Sequence, residues 1–159
     1  MHMSVSDLTR LDQLDDLLSG LRLAVQRPGY RRRLLEGLGA PGGVTGLRVL
    51  RAVQVLSADG SPSIKDVAAR LAVEHSTASR AVDSAVREGL LRKQPCTDDQ
   101  RRTRLELTPD SEDLLARTGA RRTELLATIT RGWEQADLDR LIELLEGLQN
   151  GYDRLEDLG

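Results

Sequence analysis

Between Thr97 and Thr108 the chain reads TDDQRRTRLELT: two acids, then three arginines within four residues, then a run that alternates apolar and polar. Guanidinium groups on a tight turn suit a narrow anionic groove, because the negative potential of a DNA minor groove favours an inserted arginine. Asp99 and Arg101 lie two residues apart and can pair, so that the acid fixes the direction of the guanidinium. Arg102 and Arg104 follow at positions suited to flanking phosphates. A charged, solvated turn has the same composition, and this stretch alone leaves both readings open.

A second group precedes it. In STASRAVDSAVR (76–87), Ala78, Val82 and Ala85 recur at i, i+4 and i+7, while Thr77, Arg80, Ser84 and Arg87 fall on a different face of the same helix. The small side chains of Ser76, Thr77, Ser79 and Ser84 allow close approach to base edges, and Arg80 and Arg87 are long enough for bases or phosphates. His75, just before this helix, is read as a phosphate neighbour. A surface helix in water also carries Ser, Thr and Arg, so the helix gains its meaning from what surrounds it.

The elements that must hold these groups follow from periodicity. Leu8, Leu11, Leu14, Leu18, Leu21 and Val25 form one apolar stripe of a helix that stops near the Arg-Pro-Gly at 27–29. A short basic helical piece, YRRRLLEGL, a Gly/Pro loop at 39–43 and a largely buried helix over 44–56 come next. Ile64, Val67, Ala68 and Leu71 mark a two-turn helix, and Ser76 reads as the N-cap of the helix after it. Gly89 suits that helix's C-terminus. LLRKQP and TRLELT are two short strands joined by a polar loop, with Leu105 and Leu107 on one side. Thr108 caps a further helix with Pro109 at its first position. Its apolar positions run from Leu114 and Leu115 to Leu125, Leu126, Ile129 and Trp133. In the last helix Leu138, Leu141, Leu145, Leu148, Tyr152 and Leu155 follow a heptad seam.

Two short helices around a tight turn, then a two-stranded hairpin with a basic tip, make a winged helix-turn-helix. The fold class is mainly α with a small β-hairpin wing (α+β): a winged helix-turn-helix DNA-binding domain over 44–108, and a helical dimerisation domain built from 5–38 and 109–157. The charge agrees with that division. Residues 64–104 hold nine Lys/Arg against six Asp/Glu, and residues 105–159 hold six against thirteen, so only the middle suits a polyanion although the whole chain carries -2. Leucine stripes on the two end helices exceed what one small winged domain can cover. Pairing across a two-fold axis, through Leu8, Leu11, Leu14, Leu138, Leu141, Leu145, Leu148 and Tyr152, buries them. Packing of the two helices on each other within one chain is the other solution.

The stretch SIKDVAARLAVEHSTASRAVDSAVREGLLRKQP, with DDQRRTRLELTPDSEDLL after it, resembles the MarR family of bacterial transcription regulators. Asp99, Arg101, Leu107 and Thr108 match that family's Asp-x-Arg wing and Leu-Thr strand end, and GWEQADLDRLIELLEGL is similar to its last helix. The resemblance implies a homodimer with one winged domain on each half of a pseudo-palindrome, residues 76–87 as recognition helix and Arg101 as wing arginine. It also implies a repressor that releases DNA when a small aromatic or phenolic effector binds. The walls of that site would come from the first helix, the 30–38 segment, the 44–56 helix and the start of the 109–131 helix. Ala85 stands where the family often has Leu, and Gln100 where it often has a second Arg.

Other classes fit less well. A winged helix used for protein–protein contact is distinguished by weak salt dependence. Redox sensing would rest on Cys96, the only cysteine, which also excludes an intrachain disulfide and fits a reducing cytoplasm. His2 and His75 lie too far apart in sequence to suggest a metal site, so no metal and no cofactor are expected. No Gly-rich phosphate loop or nucleophile arrangement points to an enzyme. No apolar run approaches the roughly 20 residues of a membrane span, and the first residues lack a basic and apolar leader pattern.

Overall fold

The computed structural model describes residues 5–95 and 103–156. The chain divides into two compact units, Met1–Arg122 and Thr123–Gly159, each taken here on its own. The first holds α1 (Val5–Ala24), α2 (Pro28–Leu35), α3 (Gly43–Leu56), α4 (Ile64–Leu71), α5 (His75–Arg87), β1 (Leu91–Pro95), β2 (Thr103–Leu107) and the first two-thirds of α6 (Pro109–Ile129). The division falls inside α6. The reason is packing: Leu114, Leu115 and Thr118 are buried, and both leucines belong to the core cluster of the winged segment.

That core forms around α3. Its Leu47, Val49, Leu50, Ala52 and Val53 are buried, together with Val67 of α4, Val82 and Ala85 of α5, and Leu105 of β2. The helix is not uniformly apolar: Arg48 and Arg51 are exposed on its outer side. Gly46 has a specific purpose, since a Cβ there would lie 2.8 Å from the Pro41 carbonyl oxygen, so the loop can close onto α3 only over a glycine.

Capping residues set the register of the helix-turn-helix. Ser63 and Asp66 form a reciprocal capping box at the start of α4, in which the Ser63 amide donates to Asp66 Oδ2 at 2.8 Å and the Asp66 amide to Ser63 Oγ at 3.4 Å. The helix ends on Ala72, which adopts a left-handed conformation (φ 52°), and the Val73 amide bonds back to the Ala68 carbonyl. Gly89 (φ 74°) ends α5 in the same way: the Gly89 amide donates to Val86 O and the Leu90 amide to Ala85 O. The buried Leu90 then starts the chain toward β1.

β1 and β2 pair antiparallel, with Leu91 opposite Leu107, Lys93 opposite Leu105 and Gln94 opposite Arg104. Leu105 is buried and Leu107 partly buried. The Leu105 amide donates to Pro62 O at 2.8 Å, which ties β2 to the segment ahead of α4. Thr108 joins three elements. Its hydroxyl accepts from the Ser111 amide (3.3 Å) and donates to Gly89 O (2.9 Å), and its own amide donates to Ser111 Oγ (3.0 Å). The cap of α6 therefore also fixes the end of α5.

Arginines of α6 hold α2. Arg121 Nε donates to Arg33 O at 3.0 Å and Arg117 Nη1 to Leu38 O at 3.3 Å, satisfying carbonyls at and beyond the end of a short helix. In α1, Leu8, Leu11 and Leu14 are exposed. The second unit contains the end of α6 and α7 (Gln135–Glu156). There Leu141, Leu145 and Tyr152 are exposed, Leu138 and Leu148 are partly buried, and Trp133 and Ile129 are exposed. Among the described residues no helix is long and apolar enough to cross a membrane.

Candidate nucleic-acid interface

The two faces of α5 separate as the spacing demands. Ala78, Val82 and Ala85 are buried against α3, α4 and β1. His75, Ser76, Thr77, Arg80 and Arg87 are exposed, and Ser79 and Ser84 are partly exposed. One assignment needs correction. Ser76 is not the N-cap: α5 starts at His75, with Glu74 at the cap position in an extended conformation (ψ 144°) and no side-chain cap hydrogen bond. α4 ends in the left-handed turn at Ala72, and the next helix begins two residues sooner than a Ser76 cap would allow. Ser76 then lies in the first turn of α5, with its side chain exposed.

Local bonds distinguish the members of the polar face. Ser84 Oγ donates to Glu88 Oε1 at 3.1 Å, and Arg87 Nε donates to Asp83 O at 3.3 Å, so both are engaged along the helix. Arg80, Thr77, Ser76 and His75 lie nearer its N-terminal end, the end that faces bases when such a helix enters a major groove.

A contact absent from the sequence reading joins this helix to the wing. Lys93 of β1 donates to Asp83 of α5. That hydrogen bond and the ammonium's charge, with Arg87 nearby, hold the Asp83 carboxyl below its ordinary value. The pair links β1 to α5 at the surface of the winged segment.

Asp99, Arg101, Arg102 and Cys96 lie outside the described residues. Arg104 lies inside them, on β2 opposite Gln94, with its Nε buried and without a hydrogen-bond partner among the described residues. Only part of its guanidinium is therefore available to a phosphate. Among the described residues no group of three His, Cys, Asp or Glu side chains is placed to hold a metal ion.

The first unit also contains a cavity of about 360 Å³. Its walls come from α2, α3, α4 and Arg122 of α6, and include Arg48, Arg51 and Arg70. No residue of α1 lines it, and α6 contributes a residue of its second half instead of its start. The sequence signal for this site was the pair Arg48 and Arg51, three apart in an otherwise apolar helix.

Helix, turn, polar helix and antiparallel hairpin in this order make a winged helix-turn-helix, and the comparisons agree. Residues 43–102 match the model of the MarR family. That match covers the helix-turn-helix and part of the hairpin, and the fold along nearly the whole length is similar to that of MarR-family transcription regulators. It superposes on a MarR family protein from Bacillus stearothermophilus with a TM-score of 0.76 at 16% identity, covering 96% of this chain and 99% of that one. A MarR transcriptional regulator from Methanosarcina mazei Go1 gives 0.70 at 20% identity, over 89% and 98%. The transcriptional regulator BldR from Sulfolobus Solfataricus gives 0.68 at 22%, over 96% and 99%. No curated protein matches the sequence.

Proposed function

We propose that the protein is a sequence-specific double-stranded DNA-binding transcription regulator of the cytoplasm, acting as a homodimeric, ligand-responsive repressor on a pseudo-palindromic operator. The observation that carries this reading is the two-sided character of α5: an inner face filled by small apolar residues and an outer N-terminal half offering His75, Ser76, Thr77 and Arg80 to a groove. The Lys93–Asp83 tie supports a wing that reaches the neighbouring groove in a fixed relation to that helix. Arg101 is assigned to the minor groove, with Asp99 orienting it and Arg102 and Arg104 on flanking phosphates. Exposed leucines in α1 and α7 support a second copy of the chain as their cover.

The test is selection of genomic fragments by the purified protein, followed by affinity measurements across salt concentrations. A shared two-fold motif is expected, with log K falling steeply against log salt as phosphates displace their counterions. Binding without sequence enrichment, or affinity indifferent to salt, would favour a protein-binding role and remove this reading.

A further inference from the structure

Four arginines line the cavity among α2, α3, α4 and α6: Arg48, Arg51, Arg70 and Arg122. No Asp or Glu lines it. Arginines nearby are treated differently: Arg117 pairs with Asp113 at 2.9 Å and Arg121 with Glu36 at 3.4 Å. Within the cavity only Arg51 has a partner among the described residues, and that partner is the neutral amide of Gln54. The floor is apolar and includes Leu34 and Leu47.

Four like charges around one hollow repel each other, and nothing in its walls offsets them. Guanidinium groups present paired N–H donors whose geometry matches carboxylate and phosphate oxygens, and phosphate best satisfies several at once. One single-charged carboxylate would leave most of this charge unbalanced. The volume, about 360 Å³, lies in the range that holds a small organic molecule.

We propose that this cavity binds a small organic phosphate: a doubly charged head among Arg48, Arg51, Arg70 and Arg122, and an apolar body on the Leu34 and Leu47 side. Binding to the DNA-free protein does not depend on the regulatory reading. Only its consequence, a change in DNA affinity, rests on that reading.

The experiment is calorimetry and thermal unfolding of the DNA-free protein with phenyl phosphate, benzoate and phenol at fixed ionic strength. These share a ring and differ in charge. Phenyl phosphate should bind best and raise the unfolding temperature, because a ligand of the folded state stabilises it. Its affinity should fall as pH drops through the second phosphate ionisation, near 6. Arg48→Gln and Arg70→Gln replace exposed side chains, so the fold should persist, and each should weaken phenyl phosphate by about tenfold or more, the scale of one hydrogen bond to a charged group. Equal or tighter binding of phenol, no saturable binding at millimolar phenyl phosphate, or unchanged affinity in both variants would overturn the proposal. So would variants that leave phenyl phosphate unaffected yet flatten the salt slope on random DNA, which would make these arginines phosphate contacts of the duplex. If phenol releases DNA while phenyl phosphate does not bind, the ligand-responsive reading survives and this one fails. If phenyl phosphate binds without altering DNA affinity, the reverse holds.

Discussion

In α5 the inner residues Ala78, Val82 and Ala85 are 1%, 0% and 2% exposed, whereas in α1 the stripe residues Leu8, Leu11 and Leu14 are 48%, 49% and 40% exposed. Both helices carry an apolar row at helical spacing. The first row is filled by α3, α4 and β1, which the same chain supplies. The second row consists of larger side chains and is left open, as are Leu141, Leu145 and Tyr152 in α7. Burial of one leucine stabilises by roughly 1.5–3 kcal/mol relative to exposure. A helix that leaves several leucines in water therefore forgoes a large stabilisation that another surface can recover. The winged segment fills its own core, whereas the exposed rows of α1 and α7 are the ones the proposed second copy would cover.

The largest effect should come from removing that further cover. Leu145→Glu with Leu148→Glu places two carboxylates on the seam of α7, where a second copy is proposed to pack. The double variant should sediment as a monomer or become insoluble, and the wild type's unfolding temperature should rise with protein concentration as expected of a linked dimer. A well-folded dimer of the double variant would assign the interface elsewhere. Leu50→Ala tests the opposite region. Leu50 is fully buried in the winged core, so its truncation should cost about 2–5 kcal/mol in denaturant unfolding. A much smaller cost would mean that the core around α3 collapses onto the gap.

The contrast between the regions also explains what could be read from sequence. The inner face of α5, the Gly89 stop and the Thr108–Pro109 start are encoded by neighbours three or four residues apart, and each is found where its spacing puts it. The start of α5 was misplaced because a serine is the usual cap, and an alanine is not the usual residue for the left-handed turn that Ala72 makes. Ser63 and Asp66 carried a visible capping signature that the turn-like composition of 57–63 obscured. Of the cavity, the 30–38 and 44–56 walls were legible, whereas Arg70, Arg122 and the Lys93–Asp83 tie were not: they come from separate elements that only the folded chain brings together. Arg101, assigned to the wing from composition and resemblance, lies outside the described residues.

Within the DNA-facing region, two arginines should differ in kind. Arg101→Ala should weaken operator binding strongly while leaving the fold intact. Arg101→Lys should also weaken it, most on A·T-rich flanks, because an ammonium lacks the planar fork and is more strongly hydrated. If Arg101→Lys binds as the wild type does on every flank, the residue is only a general positive charge. Arg80→Ala should cost about 1–3 kcal/mol on the specific site and less on random DNA, if the side chain reads a base. Equal losses on both would reduce Arg80 to a phosphate contact.

The smallest expected effect sharpens the comparison at the joint between recognition helix and wing. Lys93 holds the Asp83 carboxyl below its ordinary value, so the folded protein binds that proton less readily than the unfolded chain does. A depressed folded value means a contribution that is present above the unfolded value, about 4 for aspartate, and is lost as pH falls through the lower folded value. Asp83 and Lys93 are both partly open to solvent, their side chains 50% and 34% exposed, so the contribution to stability is small. Asp83→Asn should therefore shift the denaturant midpoint slightly at pH 7, and the difference from wild type should vanish at strongly acidic pH. The effect on DNA should be larger than the effect on stability, because the tie sets where the wing lies relative to α5 without adding much to the core. Operator affinity of Asp83→Asn at pH 7, measured beside its midpoint, decides the matter. An affinity equal to wild type, or a midpoint difference that grows as pH falls, would mean that Lys93 and Asp83 form only a surface contact and that the buried core of Val82, Ala85, Leu90 and Leu91 joins hairpin and helix without it.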